Sequence, residues 1–251
     1  MTDNILYKND FVDKLVRNNS DIITVIIELQ FKHPSSNIKK HYQRYFQLLG
    51  AKGVLFIVFL IMKNIFNKHI TTKFSKKGYS LSQMALKNNL AYYKIDDINN
   101  TSTIHLLLKH KIDYIINSGN QIYKRDILKV YNMRILNRHT SLLPSYGGIY
   151  PVFWQLLHGY EKGGVTLHWI NEKIDEGEIA YSMPMKIDRN LSLFDHYKIA
   201  FEISYELCQK AINDIKIDQL NYIPLKGEQS YFSWPLRNDI KAFKLKKLKI
   251  V

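Results

Sequence analysis

Two short stretches hold side chains that do chemistry: "ILNRHTSLLPSYGG" (residues 135 to 148) and "GVTLHWINEKIDEGE" (residues 164 to 178). In the first, an apolar approach runs straight into Asn137, Arg138 and His139. Asn137 offers an amide N–H donor. His139 accepts a proton when neutral and is a charged donor when protonated. In the second, Asp175 supplies a carboxylate able to orient an imidazole and pass protons to it. Taken singly, each has a plainer reading: a capping histidine, a turn-forming asparagine, an aspartate in a Glu-Gly turn. Taken together and in this order, they call for a fold that brings them to one place.

The flanking sequence predicts such a fold. "DIITVIIEL", "LAYYKI", "IDYIIN" and "MRILN" are short, largely apolar strands. "DFVDKLVRN", most of residues 37 to 90, "STIHLLLKH" and "KRDILKVY" have helical character, with a break near "KKGYS". Apolar strands alternating with helices predict an α/β fold, a Rossmann-like, mostly parallel sheet with helices on both faces. Asn137 and His139 then fall at or just past the carboxyl end of a central strand, where open parallel sheets bind ligands. "PVFWQLLHG" follows as a helix with proline in its first turn, then strands "GVTLHWI" and "IAYSMPMKI". A long helix opens at Ser192, with Asp195 placed for a capping box. The expected organisation is a catalytic core over residues 1–187. Residues 188–251 add a C-terminal helix and an extended or β-hairpin extension rich in aromatic and basic side chains.

Composition narrows the alternatives. The 251 residues are 46% hydrophobic and 23% charged, ordinary for a folded globular chain. Cys208 is the only cysteine, so no internal disulfide forms, which suits a reducing cytoplasmic setting. The start, "MTDNILYKND", lacks the apolar core of a signal peptide. A net charge of +14 fits nucleic acid, an anionic membrane or an anionic substrate, but the basic residues are dispersed apart from "KAFKLKKLKI". They read first as a solvated surface. The run "GVLFIVFLIM" (residues 53 to 62) is too short to span a bilayer, which takes about 20 apolar residues. We expect a buried helix or strand there, or else an interfacial helix, since Lys63, Lys68 and Lys73 follow. There is no G-x-S-x-G, no Walker loop and no G-x-G-x-x-G, and the nine histidines show no metal-like pairing, so no metal is expected.

The ordered set Asn137, His139, Ser141-Leu142-Leu143-Pro144, Gly164-Val165-Thr166-Leu167-His168 and Asp175-Glu176-Gly177 resembles the folate-dependent formyltransferases. The resemblance covers residues 90 to 187 well and the first 90 poorly. It implies formyl transfer from 10-formyltetrahydrofolate, as co-substrate, to an amine, with Asn137, His139 and Asp175 as the catalytic set. Moving a formyl group passes through a tetrahedral intermediate with a negative oxygen, which fixed donors stabilise. His168 is expected to pack beneath the site rather than take part. The resemblance also implies a folate pocket between the loop holding Asn120, Gln121 and Ile122 and the turn from Glu172 to Ile174.

For the acceptor, the ending "GEQSYFSWPLRNDIKAF" is similar to the tail of sugar N-formyltransferases. That likeness implies a nucleotide-linked deoxyamino sugar, of the kind used in surface polysaccharide such as O-antigen, with Tyr146, Gly148, Tyr231 and Trp234 as contacts. Two alternatives remain: a methionyl-tRNA formyltransferase-like enzyme, or a silent relative binding nucleic acid or membrane through its lysines. Methionyl-tRNA formyltransferases carry an additional C-terminal barrel, which we do not expect in the residues after Ile187. The leading reading expects no nucleic acid and no membrane span, and allows a homodimer through the aromatic tail.

Overall fold

A computed structural model describes residues 7–29, 38–70, 80–119, 121–132, 134–160 and 162–251. Asn120 lies outside the described residues. In chain order the helices are α1 (Lys8–Asn18), α2 (Ile38–Ile70), α3 (Leu81–Lys87), α4 (Thr101–Lys109), α5 (Arg125–Val130), α6 (Pro151–His158), α7 (Leu193–Lys216) and α8 (Arg237–Leu245). The strands are β1 (Val25–Leu29), β2 (Ala91–Ile95), β3 (Ile115–Asn117), β4 (Ile135–His139), β5 (Gly147–Gly148), β6 (Lys162–Trp169), β7 (Ile179–Lys186) and β8 (Tyr231–Phe232).

The site rests on a four-stranded sheet of order β3-β4-β6-β7. The β3–β4 pair is parallel, while β4–β6 and β6–β7 are antiparallel. A separate parallel pair, β1–β2, carries the strands read from the first half of the chain. Helices cover both faces of the main sheet. Ile135 joins a core cluster with Ile104, Leu107, Ile127 and Leu128 of α4 and α5. Its neighbour Leu136 points the other way, into the larger core with α6 and α7. Both are fully buried, each contributing roughly 2 kcal/mol by the area removed from water. A strand apolar on both faces is what a doubly covered sheet requires, and that requirement fixes which face Asn137 and His139 occupy.

Helix α7 is the main strut. Its buried residues Phe194, Tyr197, Phe201, Ser204, Cys208, Ala211 and Ile212 form one helical stripe. The expected capping box is present: Ser192 Oγ accepts from the Asp195 N–H, and Asp195 Oδ2 accepts from the Ser192 N–H at 2.9 Å. Burial pushes the Cys208 thiol up to about 12, which leaves it an inert core group.

Two expectations change. The C-terminal extended piece does not fold into a hairpin; β8 pairs in parallel with β5, beside the catalytic strand's following turn. The Gly147 N–H donates to Ser230 O and the Ile149 N–H to Phe232 O, both at 2.8 Å, so the tail's hydrogen bonds go to the core instead. The apolar run 53–62 is helical but far from fully buried. Leu55, Phe59 and Met62 are 68%, 61% and 64% exposed.

Candidate active site

Register builds the first half of the site. Asn117 of β3, Asn137 of β4 and His168 of β6 are cross-strand neighbours and form one hydrogen-bonded row. Asn117 Nδ2 donates to Asn137 Oδ1 at 2.8 Å. Asn117 is itself fixed, its Oδ1 accepting from the Gly119 N–H and from the Tyr123 hydroxyl. At the other end, His168 Nδ1 lies 3.0 Å from the Trp169 carbonyl. A carbonyl only accepts, so Nδ1 carries the proton. His168 Nε2 then accepts from Asn137 Nδ2 at 3.1 Å. Burial pulls the His168 pKa down to about 4, helped by the neighbouring His139 and opposed by Asp175, so the ring is neutral near pH 7. The row leaves Asn137 one way to point: carbonyl toward β3, amide toward β6 and the cavity.

The second half comes from two loops. His139 ends β4 two residues beyond Asn137, on the same face of the strand. Its Nε2 donates to the Tyr146 carbonyl at 2.8 Å, which leaves Nδ1 as the atom that gains or loses a proton. Asp175, in the β6–β7 turn with φ +55°, places Oδ1 3.7 Å from His139 Nδ1 and 3.7 Å from His168 Nε2. Its Oδ2 accepts from the Gly148 N–H at 2.8 Å. Gly148 has φ +95°, and a Cβ there would lie 2.1 Å from the Phe232 carbonyl. Only glycine lets that N–H reach the carboxylate.

The remaining motif residues have positioning work. Thr166 Oγ1 donates to Ser141 O at 2.7 Å and accepts from the Leu143 N–H, tying the Ser-Leu-Leu-Pro turn to β6. A Cβ on Gly177 would sit 1.7 Å from the Trp169 carbonyl, the same oxygen that holds His168. The glycine of Asp-x-Gly is there so the turn can close against that carbonyl.

These groups line a cavity of about 350 Å³. Asn137, His139, His168 and Asp175 meet on its wall. Gln121, Ile122 and Ile174 also line it, on the two loops expected to face each other. Gln121 fixes its own loop, donating to Asp96 O and accepting from the Ile98 N–H. Gly148 and Tyr231 line the cavity as well. Two expected contacts do not. The Tyr146 ring stacks on Phe232 at 5.2 Å and turns toward His158, and the residue serves the site through its backbone carbonyl. The Trp234 ring meets Tyr45 and Tyr150 edge-on at 4.7 and 5.0 Å, as a packing group behind the wall. Asn117 and His168 are the residues that sequence reasoning undervalued. Their signal was faint, because an asparagine ending a strand and a histidine on an alternating strand look like structure.

A family signature described as formyl transferase matches residues 60–208, more than half of the chain. The chain belongs to the formyl transferase family. Within it, the bifunctional polymyxin resistance protein ArnA of Wigglesworthia glossinidia brevipalpis is 33% identical over 168 residues, 65% of this chain and 26% of that protein. The methionyl-tRNA formyltransferase of Chlorobium chlorochromatii is 27% identical over 133 residues, 53% of this chain and 42% of that one. The chain thus spans half or less of the length of these curated relatives. Among solved structures, the formyltransferase PseJ from Anoxybacillus kamchatkensis, in complex with UDP-4,6-dideoxy-4-formamido-L-AltNAc and tetrahydrofolate, superposes with a TM-score of 0.52. Identity to it is 25%, over 62% of this chain and 80% of that one.

Proposed function

We propose that this protein transfers a formyl group from 10-formyltetrahydrofolate to the amino group of a nucleotide-linked amino sugar. The observation that carries the reading is the meeting of Asn137, His139 and Asp175 on one cavity wall, with their orientations set by partners on neighbouring strands. The walls suit a flat folate ring. Ile122 and Ile174 are exposed apolar groups of the cavity lining, which an apolar ring face would cover. Folate supplies the formyl group; the rest falls to the chain's own residues.

Asn137 Nδ2 has one hydrogen committed to His168 and one left for the developing oxygen anion. His139 Nδ1 receives the proton that the attacking amine sheds, adds as imidazolium a charged donor beside the Asn137 amide, and returns the proton to the folate nitrogen that leaves as its bond to the formyl carbon breaks. Asp175 stabilises that imidazolium across 3.7 Å and is held in place by the Gly148 N–H. His168 stays neutral and acts as a positioning residue for Asn137. The likeness to PseJ, whose complex holds a UDP-linked formamido sugar, favours a sugar acceptor. The exposed Tyr231 ring at the cavity wall is the group we assign to the nucleotide end. The single buried cysteine suits a cytoplasmic setting.

A second reading, formylation of a charged tRNA, is favoured by the methionyl-tRNA formyltransferase relative and the net charge of +14. Formyl transfer measured against a panel of nucleotide-linked amino sugars, beside methionyl-tRNA and beside Asp175→Asn, separates the two. Turnover on a sugar that disappears in the variant supports the proposal. Turnover on tRNA alone, falling steeply with added salt, overturns it in favour of the second reading.

A further inference from the structure

Helix α2 is out of keeping with the rest of the molecule. Its window Gln43–Lys63 has a mean hydropathy of 2.0, yet only 22% of it is buried. By length and composition alone that window reaches bilayer-spanning values. The packing argues against a span. The helix axis breaks at Gly50 (φ +65°, ψ 178°), so the window is not one straight rod. Its first part is anchored: Tyr45, Leu48 and Leu49 are in the main core, Ile250 lies against Gly53, and Phe56 meets Phe194 edge-on at 5.5 Å. Beyond Ile57 that anchorage ends. Val58, Phe59, Ile61, Met62, Ile65 and Phe66 are all exposed, Phe59 and Phe66 by about 60%. This uncovered stretch, Val58 to Phe66, runs about 13 Å along the axis, well short of a hydrocarbon core of about 30 Å. It matches a helix lying in the headgroup boundary.

Charge says what covers it. The sequence of α2 contains no aspartate or glutamate, while exposed Lys52 precedes the apolar stretch and exposed Lys63 interrupts it. Helix α8 packs against α2 and brings a second basic group, with exposed Lys241, Lys244 and Lys247 in and just after it. A second copy of the chain, itself +14, would set these lysines against lysines, with no acid on the helix to pair them. An anionic lipid surface offers the opposite charge and an apolar layer behind it.

We propose that α2 docks this protein peripherally on an anionic membrane, with Val58 to Phe66 inserted below the headgroups and the lysines of α2 and α8 on the phosphates. The part of α2 before the Gly50 break sits behind the cavity wall, since Tyr45 packs on Trp234 and Trp234 on Tyr150, which lines the cavity. Flotation of the full chain with vesicles of phosphatidylcholine alone, or with 30% phosphatidylglycerol, tests this. The expected result is at least tenfold more protein floating with the anionic vesicles, weakened by salt, and loss of that binding in Phe59→Glu/Phe66→Glu. Thermal unfolding checks that the variant is folded, and Phe59→Gln replaces it if it is not. Equal or no flotation with both vesicle types overturns the proposal. So does a self-associated chain in sedimentation that the same substitutions convert to monomer, which would make the stretch an interface between copies.

Discussion

The row Asn117–Asn137–His168 and the stretch Val58–Phe66 treat solvent in opposite ways. In the first, polar side chains are drawn into the sheet and hydrogen-bond to the next strand or to adjoining backbone. In the second, large apolar side chains are between 40% and 64% exposed to water. The first arrangement costs desolvation and returns orientation, which matters only where a reaction needs atoms held still. The second gains the isolated fold little, and on our proposal its reason lies outside the fold. Each departs from the ordinary rule of apolar inside and polar outside, and on our proposals each departure marks a place where the chain meets something else.

The largest effects should come from the site. Asp175→Asn and His139→Asn are expected to lower formyl transfer by about a thousandfold or more, with little change in the thermal midpoint. Asn137→Ala should cost roughly a hundredfold to a thousandfold in kcat, the range for one lost oxyanion donor. Steady-state kinetics with a formyl donor and the identified acceptor check all three. A loss seen only in KM would move these residues from the reacting centre to binding.

Next come stability effects. Gly177→Ala forces a methyl against the Trp169 carbonyl and should destabilise by about 3 kcal/mol in urea unfolding, loosening His168 as well. His168 gives a pH signature. Its folded pKa of about 4 lies below the unfolded value of about 6.5, so the unfolded chain binds more protons between those limits. This contribution to stability is complete above about pH 6.5 and is lost as pH falls toward 4, by on the order of 3 kcal/mol. Urea midpoints across that range should show the slope, and His168→Gln should flatten it.

The smallest effect sharpens the comparison inside a single helix. Leu48→Ala removes a fully buried side chain and should cost about 2–5 kcal/mol. Phe59→Ala on the same helix should change stability by about 0.5 kcal/mol or less. Similar costs at both positions would show that the exposed stretch is covered in the isolated protein.

Much of the site was legible because side-chain identity and spacing carried it. Asn137, His139 and Asp175 stand out by type, whereas the need for glycine at 148 and 177 rests on contacts that only the fold shows. The capping box at Ser192 was readable for the same reason. What escaped was work done by backbone or by neighbours across the sheet. The Tyr146 carbonyl and the Gly148 N–H are present whatever the side chain, so sequence does not flag them. His168 and Asn117 gain their roles from register, which is set by three strands together. Trp234 looked like a ligand contact because an aromatic near cations serves equally as a packing cap, and only Tyr45, far away in sequence, decides between the two. The run 53–62 misled in another way. A helix apolar on every side has no periodicity to reveal which face, if any, the fold covers.

The central claim is that the Asn137 amide and the His139–Asp175 pair act on one developing charge. A double-mutant cycle on Asn137→Ala and Asp175→Asn, read as kcat/KM for formyl transfer, tests it most directly. The account predicts that the double variant is hardly slower than the worse single variant. Losses that simply multiply would contradict it, because independent groups do not share a reacting centre.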